Sequence, residues 1–433
     1  MGLAPTREVL VTDLAGKALN IEDLRQMARR RLTRALFEFI DRGSEDEVAL
    51  RHNREAIKRI KLRPRVLNDV SGRDPAITLF GKPQTLPIVI GPTGPAGFAW
   101  YRGETALARA AAKAGIPFTL ASTSNTPMEE IRERGGGTQW YHLYVWRDME
   151  ASLVAVERAR KAGFEALVLT VDAIVPYNRE FDVRNGVTFP IRITPRNFID
   201  TLLHPRWLFG TMGRYVLAEQ HLPRYVNIVM PEDISASEVR AFLTKNDTMT
   251  WDFLRRLRAM WPRTLIVKGI LHPDDAIMAA DCGADGVIVS NHGGIASDAS
   301  LAPIDALADV VAAVGDRMTV IVDSGFRRGS DILKGLALGA DAVIVGRATL
   351  YGLAAAGEAG ATRALQILDS EIRRTMGVLG CRDITSITRD HVVLPHELFT
   401  RPLERGAIGH PAARPSGTAA ESQLFGGVPL QRK

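Results

Sequence analysis

A (β/α)8 barrel is the fold this 433-residue sequence predicts, on three observations. Eight short apolar runs alternate with eight helix-like stretches between residues 87 and 375. Glycine recurs where a helix would hand over to the next strand, in Lys-Ala-Gly-Ile (113–116), Lys-Ala-Gly-Phe (161–164), Asp-Cys-Gly-Ala-Asp (281–285) and Ala-Leu-Gly-Ala-Asp (337–341). Glycine suits the left-handed position that closes a helix. Polar or ionisable residues end nearly every apolar run, and in such a barrel the strand ends share one mouth. A doubly wound open sheet is the competing arrangement of the same alternating units.

The elements follow in order. Residues 20–60 read as helical: Asn20 stands at an N-cap position, Leu32, Leu36, Phe39 and Ile40 recur at helical spacing, and Gly43 is a stop. The strand-like runs are Pro87–Gly91, Phe118–Ser122, Trp140–Val145, Ala166–Asp172, Thr264–Gly269, Gly286–Asn291, Thr319–Gly325 and Ala342–Arg347. All are too short for helices and rich in Val, Ile, Leu or aromatic residues. The helix-like stretches are Glu104–Ala114, Met128–Arg134, Met149–Ala162, Trp251–Trp261, Asp274–Cys282, Pro303–Val314, Ser330–Leu338 and Leu350–Thr375. These define one barrel domain over 20–390, with a long insertion at 181–250 after strand four and an extended tail at 396–433. A connection that long in a compact fold carries function or structure of its own.

Composition narrows the class. Hydrophobic residues make up 46% and charged residues 24%, as in a soluble globular chain with a large core. Two cysteines exclude a disulfide framework and a four-cysteine zinc site. The start lacks the apolar stretch of a signal peptide, and no window is apolar enough to span a bilayer, so the expected compartment is the cytoplasm. A net charge of +6 is modest for this length and does not point to nucleic acid.

The polar residues at the strand ends are Thr93, Ser122, Tyr144, Thr170 with Asp172, Lys268, Ser290 with His292, Asp323 and Arg347. The last two strands lead into Asp323-Ser-Gly-Phe-Arg-Arg-Gly (323–329) and Val345-Gly-Arg (345–347). Glycines that open backbone N–H groups, followed by helix starts and arginines, suit a phosphate, and phosphate sites are frequent at this place in the fold. Lys268 ends an apolar strand, where a cation is costly without a partner; a cofactor or a Schiff base would supply one. His292, just past strand six, is a candidate general base, with Asp172 able to orient it.

Lys-Gly-Ile (268–270), Ser-Asn-His-Gly-Gly (290–294), Asp-Ser-Gly-Phe-Arg-Arg-Gly, Gly-Pro-Thr-Gly (91–94) and Leu-Thr-Val-Asp (169–172) together resemble the FMN-dependent α-hydroxy acid oxidases and dehydrogenases. The resemblance covers roughly residues 20–390 and is closest to the mandelate dehydrogenase branch, as in Leu-His-Pro-Arg-Trp (203–207). It implies FMN in a (β/α)8 barrel and oxidation of the CH–OH of a small 2-hydroxy compound. It also implies a homo-oligomer, a tetramer, and a quinone or O2 as electron acceptor. By that resemblance Pro92, Thr93 and Gly94 lie along the flavin, with Ser122, His142, Thr170 and Ser290 also against it. Lys268 meets its pyrimidine edge. Asp323, Ser324, Gly325, Arg327, Gly346 and Arg347 hold the ribityl phosphate. His292 is the base, Asp172 its support, Tyr144 meets the substrate and Arg179 its carboxylate.

Four positions depart from the family pattern. Ile295 stands where an arginine clamps the substrate carboxylate, and Phe39 where a tyrosine does. His142 replaces a flavin-contacting glutamine, and Ala121 a serine, with Ser122 adjacent. A buried carboxylate needs partners, so these changes predict poor turnover of small acids such as lactate. Better substrates would be aryl compounds, or 2-hydroxy compounds whose carboxylate is esterified, amidated or carrier-bound. An amine substrate, a non-oxidative FMN barrel and a non-catalytic flavin binder are the alternatives. Gly94 matches the dehydrogenase members rather than the oxidases. The stretch 198–217, with Arg192, Arg196, Arg206, Arg214 and Arg224 in or beside it, suits a peripheral membrane contact through 192–224, with an active-site lid or a subunit contact as the alternative.

Overall fold

The computed structural model describes residues 15–187, 194–228 and 244–395. These fall within the compact unit Met1–Leu394, save Pro395. The tail expected at 396–433 lies outside the described residues, as do Arg192 and part of the insertion.

Eight parallel strands close into a barrel in chain order. They are β1 (Ile88–Ile90), β2 (Phe118–Ala121), β3 (Gln139–Leu143), β4 (Ala166–Thr170), β5 (Thr264–Ile270), β6 (Gly286–Val289), β7 (Thr319–Val322) and β8 (Ala342–Val345). β8 returns to β1 through Val343–Ile88 and Val345–Ile90, which leaves no open edge and excludes the doubly wound sheet. Each apolar run read from the sequence coincides with one strand; seven strands end one to three residues before the run does, and β5 runs one residue past it.

The N-terminal segment forms three helices, Ile21–Arg31, Arg34–Asp41 and Val48–Arg59. The side chain of Asn20 caps the first by accepting from the N–H of Asp23. The last helix, Arg347–Leu379, bends at Ala356 and Gly357, where the backbone leaves helical geometry. A short hairpin, Ile77–Leu79 with Lys82–Gln84, closes the bottom of the barrel. Its Leu79 joins the interior layer, and Phe80 packs edge-on against Trp140.

Strand alternation decides which side chains enter the barrel. Val89, Trp140, Ala166, Val168, Ile266, Ile288, Ile321, Ala342 and Ile344 fill the interior. Two residues further along each strand, the same parity presents Gly91, His142, Thr170, Lys268, Ser290, Asp323 and Gly346 at the mouth. The chemistry is therefore stacked directly on an apolar floor, where charges are strongly felt.

Candidate active site

His292 stands at the centre of the mouth. Its Nδ1 lies 3.0 Å from Asp172 Oδ1, and its Nε2 lies 2.8 Å from the Tyr144 hydroxyl. Burial pushes the Asp172 carboxyl up, but His292 and Lys268 outweigh it and hold the group below the ordinary carboxylate range. An ionised Asp172 can only accept, so Nδ1 carries the proton and Nε2 is left to accept from Tyr144. Burial lowers the imidazole below its usual 6.5 despite Asp172, so it is neutral at pH 7. A neutral imidazole backed by a carboxylate is the working form of a general base. The approach of Asp172 depends on Gly269: a Cβ there would stand 2.5 Å from the Asp172 Cβ, and its φ of +109° suits glycine.

The mouth opens into a cavity of about 930 Å³, lined by Pro92, Thr93, Gly94, Lys268, Asp323, Ser324, Gly325, Arg327, Gly346 and Arg347 among others. That size suits a ligand at the upper end of small-molecule sites, roughly 300–1,000 Å³. Lys268 is buried and already partnered: Nζ donates to Ser290 Oγ at 2.8 Å and lies 3.3 Å from Asp323 Oδ2. This ion pair removes the argument for a Schiff base. Ser324 donates to Asp323 Oδ1 at 2.7 Å and accepts from the N–H of Gly293, tying the base loop to strand β7.

Arg327 and Arg347 differ from Lys268. Both guanidinium groups are half-buried, desolvation lowers both, and neither has a carboxylate within 4.0 Å among the described residues. Arg327 donates to the carbonyl of Phe326 at 2.9 Å. Arg347 donates to the carbonyls of Ile40, Gly293 and Arg42, so it also braces the N-terminal segment against the base loop. Two half-buried cations without an ion pair on one cavity wall suit an anion. Thr93 Oγ1 is buried beside them without a partner. These residues fit FMN, with its phosphate at the arginines. Among the described residues no cluster of His, Cys, Asp or Glu could hold a metal.

The wall facing the base is of a different kind. Phe39, Ile295, Trp146 and Val187 make it largely apolar. Arg179 reaches it, but Nη2 donates to the Phe39 carbonyl at 2.6 Å, Nε lies 3.0 Å from Asp182 Oδ2, and the guanidinium rests over the Phe39 ring. Asp182 is pushed up to about 6 by burial, against the pull of Arg179. Two further groups complete the wall: Tyr177, and Lys245 from the insertion.

The structure corrects some expected contacts. Ser122 has the outward parity of its strand and spends its Oγ on the N–H of Tyr144, so Ala121 and Thr123 line the cavity in its place. His142, Thr170 and Ser290 face inward but lie behind the lining: His142 Nε2 is 2.6 Å from Thr170 Oγ1, and Ser290 serves Lys268 and the N–H of His292. Burial drives His142 well below 6.5, which makes it a neutral spacer. Reading the sequence missed Thr123, Tyr177, Asp182 and Lys245. Thr123 was recoverable from strand parity, and Asp182 as an i+3 partner of Arg179. Lys245 had no local signal, because only tertiary pairing brings it to the mouth.

A closed β/α barrel whose mouth joins an arginine-lined anion seat to a histidine–aspartate base is the arrangement of a flavin mononucleotide oxidoreductase. The chain belongs to the FMN-dependent dehydrogenase family, whose model matches residues 28–394. It is 41% identical over 388 residues to (S)-mandelate dehydrogenase of Pseudomonas putida, covering 89% of this chain and 96% of that one. It is also 41% identical over 372 residues to an L-lactate dehydrogenase of Caulobacter vibrioides, covering 84% and 95%. A crystal structure of monotopic membrane protein (S)-mandelate dehydrogenase superimposes with a TM-score of 0.82 at 40% identity, over 87% of this chain and 99% of that one. The chain is an FMN-dependent oxidoreductase acting on CH–OH.

Proposed function

We propose that the chain oxidises an aryl-bearing 2-hydroxy acid to the 2-keto acid, with His292 as base. The carrying observation is the Asp172–His292–Tyr144 chain of hydrogen bonds at the junction between the anion seat and an apolar wall. Bound FMN supplies the two-electron acceptor, and the side chains do the rest. His292 Nε2 takes the proton leaving the substrate, Asp172 carries the resulting imidazolium, and Tyr144 turns its hydroxyl to the substrate oxygen. Phe39, Ile295 and Trp146 exclude water and receive the aromatic group.

The test is anaerobic addition of (S)-mandelate and L-lactate to the yellow protein. Mandelate is expected to bleach the flavin band with a kcat/KM about 10–100 times that for lactate, since burying an aryl group adds on the order of 1.5–3 kcal/mol. Ile295→Arg is expected to narrow that ratio by restoring a cation to the site. Equal handling of both acids by the wild type, or an unchanged ratio in the variant, overturns the aryl reading.

Gly94 supports a dehydrogenase. A Cβ at this position would meet Thr123 Oγ1 at 2.7 Å and Ala121 Cβ at 2.9 Å, so the floor is built around glycine. Reduced enzyme is expected to reoxidise slowly in air and quickly with a quinone or dye. Fast, stoichiometric peroxide formation would show an oxidase instead.

The insertion supports peripheral membrane association. Among the described residues no helix is long and apolar enough to cross a bilayer. Helix Pro195–Leu202 and the segment after it expose Phe198, Ile199, Leu202, Leu203, Phe209 and Leu217, the last to 85%. Arg196, Arg206, Arg214 and Arg224 are exposed around them. Trp207 and Tyr215 are turned inward: Trp207 Nε1 donates to the carbonyl of Phe98, and the Tyr215 hydroxyl accepts from the N–H of Arg102. An apolar face with basic neighbours, fastened to the barrel from beneath, suits an anionic lipid surface. Full-length protein is expected to sediment with anionic vesicles and to be released by Phe209→Glu with Leu217→Glu. Protein that stays wholly in the supernatant defeats this.

A further inference from the structure

Lys245 is the one cation of the substrate wall that the protein leaves uncommitted among its described residues. The backbone on both sides of it is tied down: Thr244 accepts from the N–H of Arg147 at 2.8 Å, and the N–H of Asn246 donates to Val145 at 2.9 Å. Lys245 and Trp146 thereby form an antiparallel bridge. This clamp aims the side chain into the cavity, where Nζ lies 3.7 Å from the centre of the Tyr177 ring and 4.3 Å from that of Tyr144. The Tyr144 hydroxyl is the group bonded to His292, so the ammonium sits beside the reacting centre.

Nothing among the described residues fully balances that charge. No carboxylate lies within 4.0 Å of it among the described residues, and two aromatic faces recover only part of the hydration an ammonium loses. The result is visible in its acidity: burial lowers the ammonium to about 7, against the attraction of Asp172 and with Lys268 adding repulsion. Arg179 is in the opposite position. Asp182, the Phe39 carbonyl and the Phe39 ring already occupy it, so an incoming carboxylate must compete with Asp182. Ile295 offers no charge at all.

We propose that Lys245, delivered by the insertion, is the anchor for the substrate carboxylate, in place of the arginine that the family motif carries at the position of Ile295. The proposal rests on the reading that the cavity takes 2-hydroxy acids. It fixes an orientation: the carboxylate lies on the side of Tyr144 and Tyr177, the reacting carbon at His292, and the hydrocarbon group against Phe39 and Ile295. It also favours a free carboxylate over an ester or amide, the reverse of what the two apolar replacements suggest by themselves.

The experiment measures binding to the oxidised holoenzyme through perturbation of the flavin spectrum. The probes are phenylacetate, an anion that lacks the reacting hydroxyl, and its neutral counterpart phenylacetamide. Lys245→Met is expected to weaken phenylacetate by about 10–100-fold, the loss of one charge-assisted contact, while phenylacetamide shifts by less than about 3-fold. Lys245→Arg is expected to recover most of the anion affinity, and Ile295→Arg placed in the Lys245→Met background to recover part of it. Unchanged phenylacetate binding in Lys245→Met overturns the proposal, and so does an equal loss for acid and amide. If Lys245→Met does not load FMN, Lys245→Gln is read by the same criteria. Mandelate bleaching is scored separately. Acid-selective binding through Lys245 without bleaching refutes the oxidation reading and leaves the anchor; bleaching with unchanged binding does the opposite.

Discussion

Replacing His292 with asparagine is expected to slow anaerobic flavin reduction by about 10²–10⁴-fold while FMN stays bound, because that is the usual worth of a positioned general base. Asparagine is the suitable replacement. His292 has a φ of +58°, a left-handed conformation that asparagine tolerates better than most residues. The proposed FMN seat at Arg327 and Arg347 is untouched, so the yellow colour should persist. The same base sets the pH profile. Burial lowers the imidazole below 6.5, so the unprotonated form is already dominant at pH 7. At saturating substrate, where titration of Lys245 near 7 no longer limits binding, the reduction rate should be flat through neutrality and fall as pH drops through the lowered value of His292. Asp172→Asn removes the group that holds Nδ1–H and raises the imidazole, so the rate should drop and the acid limb move lower still. A His292→Asn enzyme that reduces its flavin within about 10-fold of wild type would place the base elsewhere.

Lys268→Met should have the second largest effect, on stability as well as rate. Removing one member of a buried ion pair typically costs about 3–5 kcal/mol, because the other is left charged without a partner. Asp323 is that partner, 3.3 Å away, and Ser290 loses one of its two donors at the same time, keeping the N–H of His292. The variant is expected to unfold at a clearly lower denaturant midpoint and to hold FMN poorly. Adding Asp323→Asn removes the stranded charge and should restore much of the stability. It should not restore the rate if, as proposed, Lys268 supplies the cation beside the flavin. Urea unfolding and stopped-flow reduction of the single and double variants separate the two roles. If the double variant regains both, Lys268 is a structural ion pair and nothing more.

The sequence alone determined the eight strand–helix units and favoured the barrel; the pairing of β8 with β1 decided closure. A closed parallel sheet needs every strand buried on both faces, so each strand is a short apolar run and each connection a helix, several with a glycine exit, and both signals are local. Strand ends are local too, so Thr93, Tyr144, Asp172, Lys268, His292 and Asp323 were legible, and motif resemblance supplied the arginines and FMN. What the tertiary structure decided is who partners whom. Lys268 looked like an unpaired cation until Asp323 was placed beside it, and Arg179 looked like a free clamp until Asp182 and Phe39 were seen to occupy it. Ser122 was one residue out, because a strand's period of two turns a neighbour to the opposite face. Lys245 lies about a hundred residues from Tyr144 in the chain. It reaches the mouth because two backbone hydrogen bonds pair its segment with the one that follows β3. Long-range pairing of this kind leaves no periodicity or spacing in the sequence, because its energy resides in groups that every residue carries.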